Sequence, residues 1–214
     1  MIANTEIVVV TGRADLPCRR SIRLRGYDYS RAGAYFVTIC TQNRQRLFGE
    51  IVDGKMRLND AGEMVRVVWN EIPNHYPGID ADEFAIMPNH IHGIVVIAPA
   101  TTTGQPRGVA PTGLTLPDVV HRLKTMTTKC YTDGVKQHDW PAFPGKLWQR
   151  NYWEHIVRDE PELHRICEYI QNNPAQWELD KLFVDGQKIG QARGPAPTVI
   201  REPSPAYTTE AWMV

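Results

Sequence analysis

The chain lacks several features that would assign it at once to a familiar class of protein. Only four of its 214 residues are cysteines, and no two of them form a CxxC pair. Such sparse cysteines argue against a disulfide framework or a cysteine-based zinc site. The sequence also shows no signal peptide and no apolar run as long as a membrane span. We therefore expect a cytoplasmic protein with no membrane partner.

An excess of charge of one sign is also absent, because 24 basic residues balance 24 acidic residues. The chain as a whole therefore carries no electrostatic signature of nucleic-acid binding. The basic residues are nevertheless clustered in two stretches, 11–31 and 121–150. Such clusters either contact phosphates or form a solvated surface. The candidate phosphate contacts are Arg19, Arg20, Arg23, Arg25, Arg122, Lys124 and Arg150.

Composition and the positions of glycine and proline predict one globular domain between two flexible terminal segments. Hydrophobic residues make up 42% of the chain and charged residues 22%, values typical of a folded protein. We expect a flexible arm over residues 1–20, a folded domain over 21–180, and a largely disordered Gly/Pro-rich tail over 181–214. Within the domain, residues 99–113 have the composition of a flexible loop.

Hydrophobic periodicity predicts strands that alternate with helices. The predicted strands are residues 34–41, 83–87 and 90–97, a hairpin at 49–58 turns at Asp53-Gly54, and the aromatic stretch 148–157 contains a further strand candidate. The predicted helices are residues 60–75, 117–131 and 160–173, while 133–146 are irregular. Hairpin connections favour an antiparallel or mixed sheet with helices on one face, an α+β fold.

The most informative segment is residues 87–97, in which His90 and His92 flank a single isoleucine at the start of a β-branched run. Residues i and i+2 of a strand point to the same face, so two imidazoles lie side by side. Imidazole is the commonest metal ligand in proteins, and the pair therefore indicates half of a cation site.

The predicted last helix can supply the remaining groups of such a site. Tyr169 and Asn173 are four residues apart and therefore share one helix face. If that face packs beside the histidine strand, a single pocket gains a phenol and an amide oxygen. A hard divalent cation suits such a mixture of nitrogen and oxygen ligands.

Four segments taken in order resemble a known family. His90-Ile91-His92 resembles the histidine–hydrophobe–histidine motif of the HUH endonucleases. Residues 147–158 and 168–174 resemble the single-tyrosine IS200/IS605-type transposases, and the REP-associated tyrosine transposases are the most similar branch. Residues 20–29, leading into the strand at 35–41, resemble the opening of that branch. The similarity covers residues 18–180.

This resemblance implies a ferredoxin/RRM-like HUH fold, with a central antiparallel sheet and helices on its face. It also implies a Y1 transposase that cleaves and rejoins single-stranded DNA near hairpins. Tyr169 is the implied nucleophile, giving a covalent 5′-phosphotyrosine, and His90 and His92 are the implied ligands of Mg²⁺ or Mn²⁺. Family members imply a monomer or a homodimer.

Two roles within the site stay open at this stage. The third ligand of better-known IS200/IS605 enzymes is a glutamine four residues after the tyrosine, whereas this chain has the shorter Asn173 there. His155 is the alternative third ligand. Tyr152, next to Trp153-Glu154-His155, is the alternative nucleophile.

Two other functions remain as alternatives. A domesticated DNA-hairpin binder would bind the same DNA without cutting it. A metal-dependent hydrolase of a small substrate would need an acid beside the histidine pair, and the nearest acids in sequence, Asp82 and Glu83, belong to the far end of the preceding predicted strand.

Overall fold

The fold is built around one four-stranded antiparallel sheet. The computed structural model describes residues 23–24, 26–99 and 114–184. The sheet has the order β4-β5-β1-β6, and every neighbouring pair in it is antiparallel. The six strands are β1 Gly33–Cys40, β2 Gly49–Val52, β3 Lys55–Leu58, β4 Ile79–Met87, β5 His90–Ile97 and β6 Trp153–Val157.

The connections give the sheet a ferredoxin-like topology. Along the chain the core elements run β1, α1, β4, β5, α2 and β6, with the separate β2–β3 hairpin inserted before α1. The helices are α1 Asp60–His75, α2 Leu116–Gln137 and α3 Glu160–Asn172. The predicted α+β class and antiparallel sheet are therefore confirmed.

Each of the three helices begins within one residue of its predicted start, directly after a capping side chain. The side chain of Asn59 accepts a hydrogen bond from Gly62 N and caps α1, and Thr115 caps α2 in the same way through Asp118 N. Asp159 caps α3, but Glu162 does not complete a capping box there, because its carboxylate binds the Arg158 N–H instead.

Element lengths differ from the predictions at two places. Strand β4 starts at Ile79, four residues before the predicted strand, and passes through a register shift between Ala81 and Phe84. Helix α2 continues to Gln137, so residues 133–137 are helical and not irregular. The bulge conceals the alternation of β4, whereas Gly134 fits inside α2 because its missing side chain makes room for the Trp140 ring.

The sheet has two different faces because its strands alternate. One face presents Tyr35, Val37, Ile39, Ile91 and Val95 to α1 and α2 and forms the main core. The opposite face presents Phe36 and Ile94 to Ile166 and Ile170 of α3. Helices therefore pack on both faces of the sheet and not on one face as the sequence predicts, and α3 covers the face of β5 that carries the two histidines.

In the part of the chain that the structure describes, no helix is long and apolar enough to cross a membrane. The arm at 1–20, most of the loop at 99–113 and most of the tail at 181–214 lie outside the described residues. The predicted domain limits therefore stay predictions.

Candidate active site

The two histidines meet at the beginning of β5, where the Pro88-Asn89 turn brings the chain back from β4. His90 Nε2 lies 2.9 Å from His92 Nε2, and both side chains are almost fully buried. Burial lowers the pKa of His90 well below its ordinary value, with smaller contributions from His92 and Arg44. Burial also lowers the pKa of His92 to about 3. Both imidazoles are therefore neutral near pH 7, the form that binds metals.

Each ring has a partner at its other nitrogen. His90 Nδ1 lies 2.7 Å from Asn89 Oδ1, and His92 Nδ1 lies 2.8 Å from Thr38 Oγ1. An amide oxygen can only accept, whereas a hydroxyl can either donate or accept. His92 can therefore place its proton on either nitrogen. When Thr38 accepts from Nδ1, the Nε2 lone pairs of both rings face one small space.

Helix α3 brings Tyr169 to the same place. The Tyr169 hydroxyl lies 3.3 Å from His92 Nε2, and the ring meets Phe36 edge to face, with 6.0 Å between the ring centroids. Burial raises the pKa of Tyr169 above its ordinary value, and the Asp180 charge raises it further, while the Asn173 amide opposes both effects. The hydroxyl is therefore a neutral phenol near pH 7.

A carboxylate that sequence reasoning missed completes the cluster. After α3, a 3-10 segment, Asn173–Leu179, turns the chain back so that Asp180 Oδ2 lies 3.6 Å from His90 Nε2. Burial raises the pKa of Asp180, while hydrogen bonds from Leu182 N and from Asn173 act in the opposite direction. No signal of 3.6-residue periodicity links Asp180 to Tyr169, since the intervening turn is not α-helical.

The chemistry of these donors fits a divalent cation. Ligand atoms of His90, His92 and Asp180 all lie within 4.8 Å of one another. Asp180 Oδ2 and Asn173 Oδ1 are buried, and neither finds a hydrogen-bond partner within the described part of the chain. Unsatisfied buried oxygens are costly, and a cation bound between them and the imidazoles would remove that cost. The structure thus adds Asp180 to the ligand candidates and leaves Asn173 beside them.

His155, the alternative third ligand, lies in a different environment on β6. It is absent from the cluster of potential ligands formed by His90, His92 and Asp180. Its Nε2 lies 2.9 Å from Glu162 Oε1, and its ring stacks against Trp153. Burial alone would raise the pKa of Glu162, but hydrogen bonds from Arg158 N and His155 lower it below its ordinary value. This geometry indicates a role in joining β6 to the start of α3.

Tyr152, the alternative nucleophile, belongs to the main core and not to the histidine cluster. Lys124 Nζ lies 5.4 Å from the centre of its ring, and the Arg23 guanidinium lies 5.1 Å from it. Burial raises the pKa of Tyr152 above its ordinary value, while Arg23 opposes that effect. No described contact joins Tyr152 to either histidine.

The basic residues proposed from sequence divide into three groups. Arg23, Arg122 and Arg150 have exposed side chains. Lys124 is half-buried, and its ammonium donates to the carbonyl oxygens of residues 149, 150 and 151, at 2.9, 3.3 and 3.1 Å. Burial lowers the pKa of Lys124 to about 8. Arg19, Arg20 and Arg25 lie outside the described residues.

The segment held by Lys124 adjoins the histidine site. Gln149 N donates to Cys40 O at 2.9 Å, and Cys40 is the register partner of His90 across β1 and β5. The backbone next to the exposed Arg150 therefore lies at the end of the sheet that carries His90. Lys124 orients that segment, since its three donors are already used by backbone carbonyls.

The fold and the cluster together define a class, an antiparallel α+β domain that holds a His-hydrophobe-His pair and a helical tyrosine in one site. The chain is 42% identical over 176 residues to an uncharacterised protein of Haemophilus influenzae, a match that covers 78% of this chain and 94% of that protein. It is 26% identical over 152 residues to a "Putative REP-associated tyrosine transposase" of the same organism, covering 70% of this chain and 74% of the relative. No family model matches the chain.

Two solved structures are also similar. One is a REP-associated tyrosine transposase bound to a REP hairpin, with a TM-score of 0.49 and 19% identity, covering 74% of this chain and 76% of that one. The other is a "putative transposase" from Deinococcus radiodurans, with a TM-score of 0.38 and 21% identity, covering 70% of this chain and 95% of that one. The motifs of the chain and its named sequence relative are both similar to the REP-associated tyrosine transposases.

Proposed function

We propose that this protein cleaves and rejoins single-stranded DNA near hairpins, with Tyr169 as nucleophile and a divalent cation bound by His90, His92 and Asp180. The observation that carries the proposal is the 3.3 Å separation between the Tyr169 hydroxyl and His92 Nε2. A phosphate bound at the imidazole pair would then be within reach of the phenol oxygen. Asn173 would contribute to the same shell as a neighbour of both Tyr169 and Asp180.

The residues would divide the reaction among themselves. The Tyr169 oxygen attacks phosphorus, the bond from phosphorus to the 3′ oxygen breaks, and a 5′-phosphotyrosine and a free 3′-hydroxyl result. The phenol proton leaves to solvent, and the departing 3′ oxygen takes up a proton. Mg²⁺ or Mn²⁺, when bound, would supply Lewis-acid stabilisation of charge on the phosphate and on the phenol oxygen. Attack by a 3′-hydroxyl reverses these steps, so rejoining needs no external energy source.

The neutral phenol explains why a cation belongs in this proposal. Tyr169 is a poor nucleophile while burial keeps its pKa high. Positive charge within a few ångströms favours the ionised form of an acid. Neither His90 nor His92 can provide that positive charge near pH 7, because the pKa values of both side chains are lowered.

The DNA surface would include exposed arginines around Tyr152 and the backbone segment that Lys124 holds. Arg23 and Arg150 would contact phosphates, and Arg122 would extend this surface along α2. Arg19, Arg20 and Arg25 remain proposed contacts of the N-terminal arm. Lys124 would act indirectly by holding the backbone of residues 149–151. Binding would then weaken at high salt.

The decisive experiment uses a labelled hairpin oligonucleotide incubated with Mg²⁺ or Mn²⁺. Wild-type protein should form a covalent adduct that survives denaturing electrophoresis. Tyr169→Phe should abolish the adduct while retaining DNA binding, and Tyr152→Phe should retain the adduct. Loss of the adduct only in Tyr152→Phe would reverse the nucleophile assignment. Hairpin binding without any adduct from the wild type would favour the domesticated binder.

One observation supports a second candidate function. A metal-dependent hydrolase needs an acid beside the imidazoles, and Asp180 Oδ2 lies 3.6 Å from His90 Nε2. A hydrolase would use this carboxylate to activate water instead of using the tyrosine. In that case, single-stranded and hairpin DNA would show no affinity for the protein, and Tyr169→Phe would leave hydrolysis intact.

A further inference from the structure

Asn89 lies between two parts of the proposed metal site, His90 and the segment that carries Asp180. It occupies the turn between β4 and β5, and its side chain is fully buried. Its amide nitrogen donates to Leu182 O at 2.8 Å and to Arg44 O at 3.3 Å. Its amide oxygen lies 2.7 Å from His90 Nδ1. One buried side chain thus contacts a histidine of the cluster and the segment that carries Asp180.

The two carbonyls determine which way the Asn89 amide faces. Carbonyl oxygens accept and never donate, so the group that faces Leu182 O and Arg44 O must be the NH₂ group. The amide oxygen is then the atom beside His90 Nδ1, and that nitrogen must carry the ring proton. His90 Nε2 is left as the bare lone pair that points toward His92 and Asp180.

The other histidine has no such constraint. His92 Nδ1 faces the Thr38 hydroxyl, which rotates to donate or accept. The two imidazoles therefore differ: Asn89 fixes one tautomer, whereas Thr38 permits both. A cation that binds two Nε2 atoms would need to select the tautomer of His92 only.

The segment with Asp180 is attached to the same side of the molecule by further donors. Arg44 Nη1 donates to Lys181 O at 3.0 Å, and the Arg46 guanidinium donates to Val184 O. Arg46 also lies over the rings of Trp177 and Phe183. Both arginines are exposed, whereas the bond from Asn89 to Leu182 O is partly buried, so it is the best shielded from water of these three contacts.

We propose that Asn89 is a positioning residue that fixes the Nδ1–H tautomer of His90 and, through Leu182, the place of the Asp180 carboxylate. Its consequence for metal binding rests on the function proposed above. Partners in the outer shell of metal-ligating histidines typically change metal affinity by about 10–100-fold when they are removed. We expect a loss in that range for Asn89→Ala.

The first test needs neither metal nor DNA. Nitrogen-15 NMR of the imidazole rings in the metal-free wild type should show His90 as the Nδ1–H tautomer. Finding His90 as the Nε2–H tautomer would overturn the proposal without any variant. Since no metal or DNA is present, this result is independent of the adduct experiment, and either proposal can fail alone.

Three variants separate the two roles of Asn89. Asn89→Ala should release the tautomer of His90 and weaken Mn²⁺ binding, measured by electron paramagnetic resonance, by about 10–100-fold. Asn89→Asp keeps an acceptor for His90 but loses both donors, so the tautomer should persist while amide hydrogen exchange at Leu182 accelerates. Thr38→Val, the control, should leave the tautomer of His90 unchanged.

Two results from the variants would contradict the assignment. An unchanged His90 tautomer in a folded Asn89→Ala protein would show that other groups fix the ring. Unchanged exchange at Leu182 in Asn89→Asp would show that the arginines hold the segment without Asn89. If Asn89→Ala does not fold, Asn89→Asp and the wild-type spectrum still decide both points.

Discussion

The two faces of the central sheet differ in what they bury. The face toward α1 and α2 is lined almost entirely by apolar side chains, including Tyr35, Val37, Ile91 and Val95. The face toward α3 has a small apolar cluster around Phe36 and Ile94, and beside it the fully buried His90 and the almost fully buried His92. The same strands supply both faces, because alternate residues point in opposite directions.

The apolar face therefore contributes mainly to the stability of the fold, whereas the polar groups on the α3 face form the candidate active site. Burial of apolar surface stabilises a fold without regard to direction, so the first face can be large and continuous. Buried polar groups instead cost free energy unless each finds a partner, and the α3 face leaves Asp180 Oδ2 and Asn173 Oδ1 without one among the described residues. We therefore expect substitutions on the first face to affect unfolding and those in the polar cluster to affect binding.

The largest expected effect is on the apolar face. Trp69 of α1 is 1% exposed and stacks on Phe84, with 5.4 Å between the ring centroids. Trp69→Ala should lower the free energy of unfolding by about 3–5 kcal/mol in urea denaturation, because truncating a buried aromatic leaves a cavity. Val67→Ala, at a position that is 52% exposed on the same helix, is the control. A loss below about 1 kcal/mol for Trp69→Ala would contradict this account.

The next effect concerns the half-buried Lys124 ammonium at the edge of the apolar face. Lys124→Met should lower the free energy of unfolding by about 1–3 kcal/mol, since three carbonyls lose a charged donor. The same measurement on Lys129→Met, an exposed lysine of α2, should show almost no change. Equal results for the two variants would mean that water replaces the ammonium without cost.

A smaller effect is expected at the hydrogen-bonded pair of Glu162 and His155 on the α3 face. Glu162→Gln should cost about 1 kcal/mol near pH 7, because hydrogen bonds from Arg158 N and His155 favour the charged carboxylate. The folded-state pKa of Glu162 lies below the ordinary 4.5, so its contribution is present above pH 4.5 and is lost as the pH falls through the folded pKa.

Thermal denaturation across this pH range checks that sign. The difference between wild type and Glu162→Gln should shrink on acidification below 4.5, whereas Glu168→Gln, at a side chain that is 63% exposed, should differ little from wild type at any pH. A difference that grows as the pH falls would mean that the carboxyl is stabilised in its protonated form.

The smallest effect on the metal-free protein should come from the candidate metal site itself. Asp180→Asn removes a buried carboxylate whose pKa burial raises, so stability should be unchanged or slightly greater. Wild type should gain about 2.7 kcal/mol at a Mn²⁺ concentration 100 times the dissociation constant, and the variant should lose most of this gain. Thermal denaturation with and without MnCl₂, with Glu178→Gln as control, measures both. A full Mn²⁺ gain in Asp180→Asn would exclude Asp180 as a ligand.

The amino-acid sequence alone determined the local part of this protein. The i, i+2 spacing of His90 and His92 was sufficient to place both rings on one face of a strand, because alternation is a property of any extended chain. The capping residues Asn59 and Asp159 stand directly before two helices that begin at the predicted residues 60 and 160, because the first N–H groups of every helix need acceptors. The antiparallel α+β class followed from such local elements together with hairpin connections.

Tertiary structure alone decided which distant groups meet. Asp180 reaches His90 only because a 3-10 turn redirects the chain after α3, and no sequence period describes that path. Sequence alone offered His155 as an alternative metal ligand and Lys124 as a candidate phosphate contact. In the structure His155 instead pairs with Glu162, and Lys124 donates to three backbone carbonyls. The chemistry of a side chain follows from its residue type, whereas its partner depends on how separate elements pack.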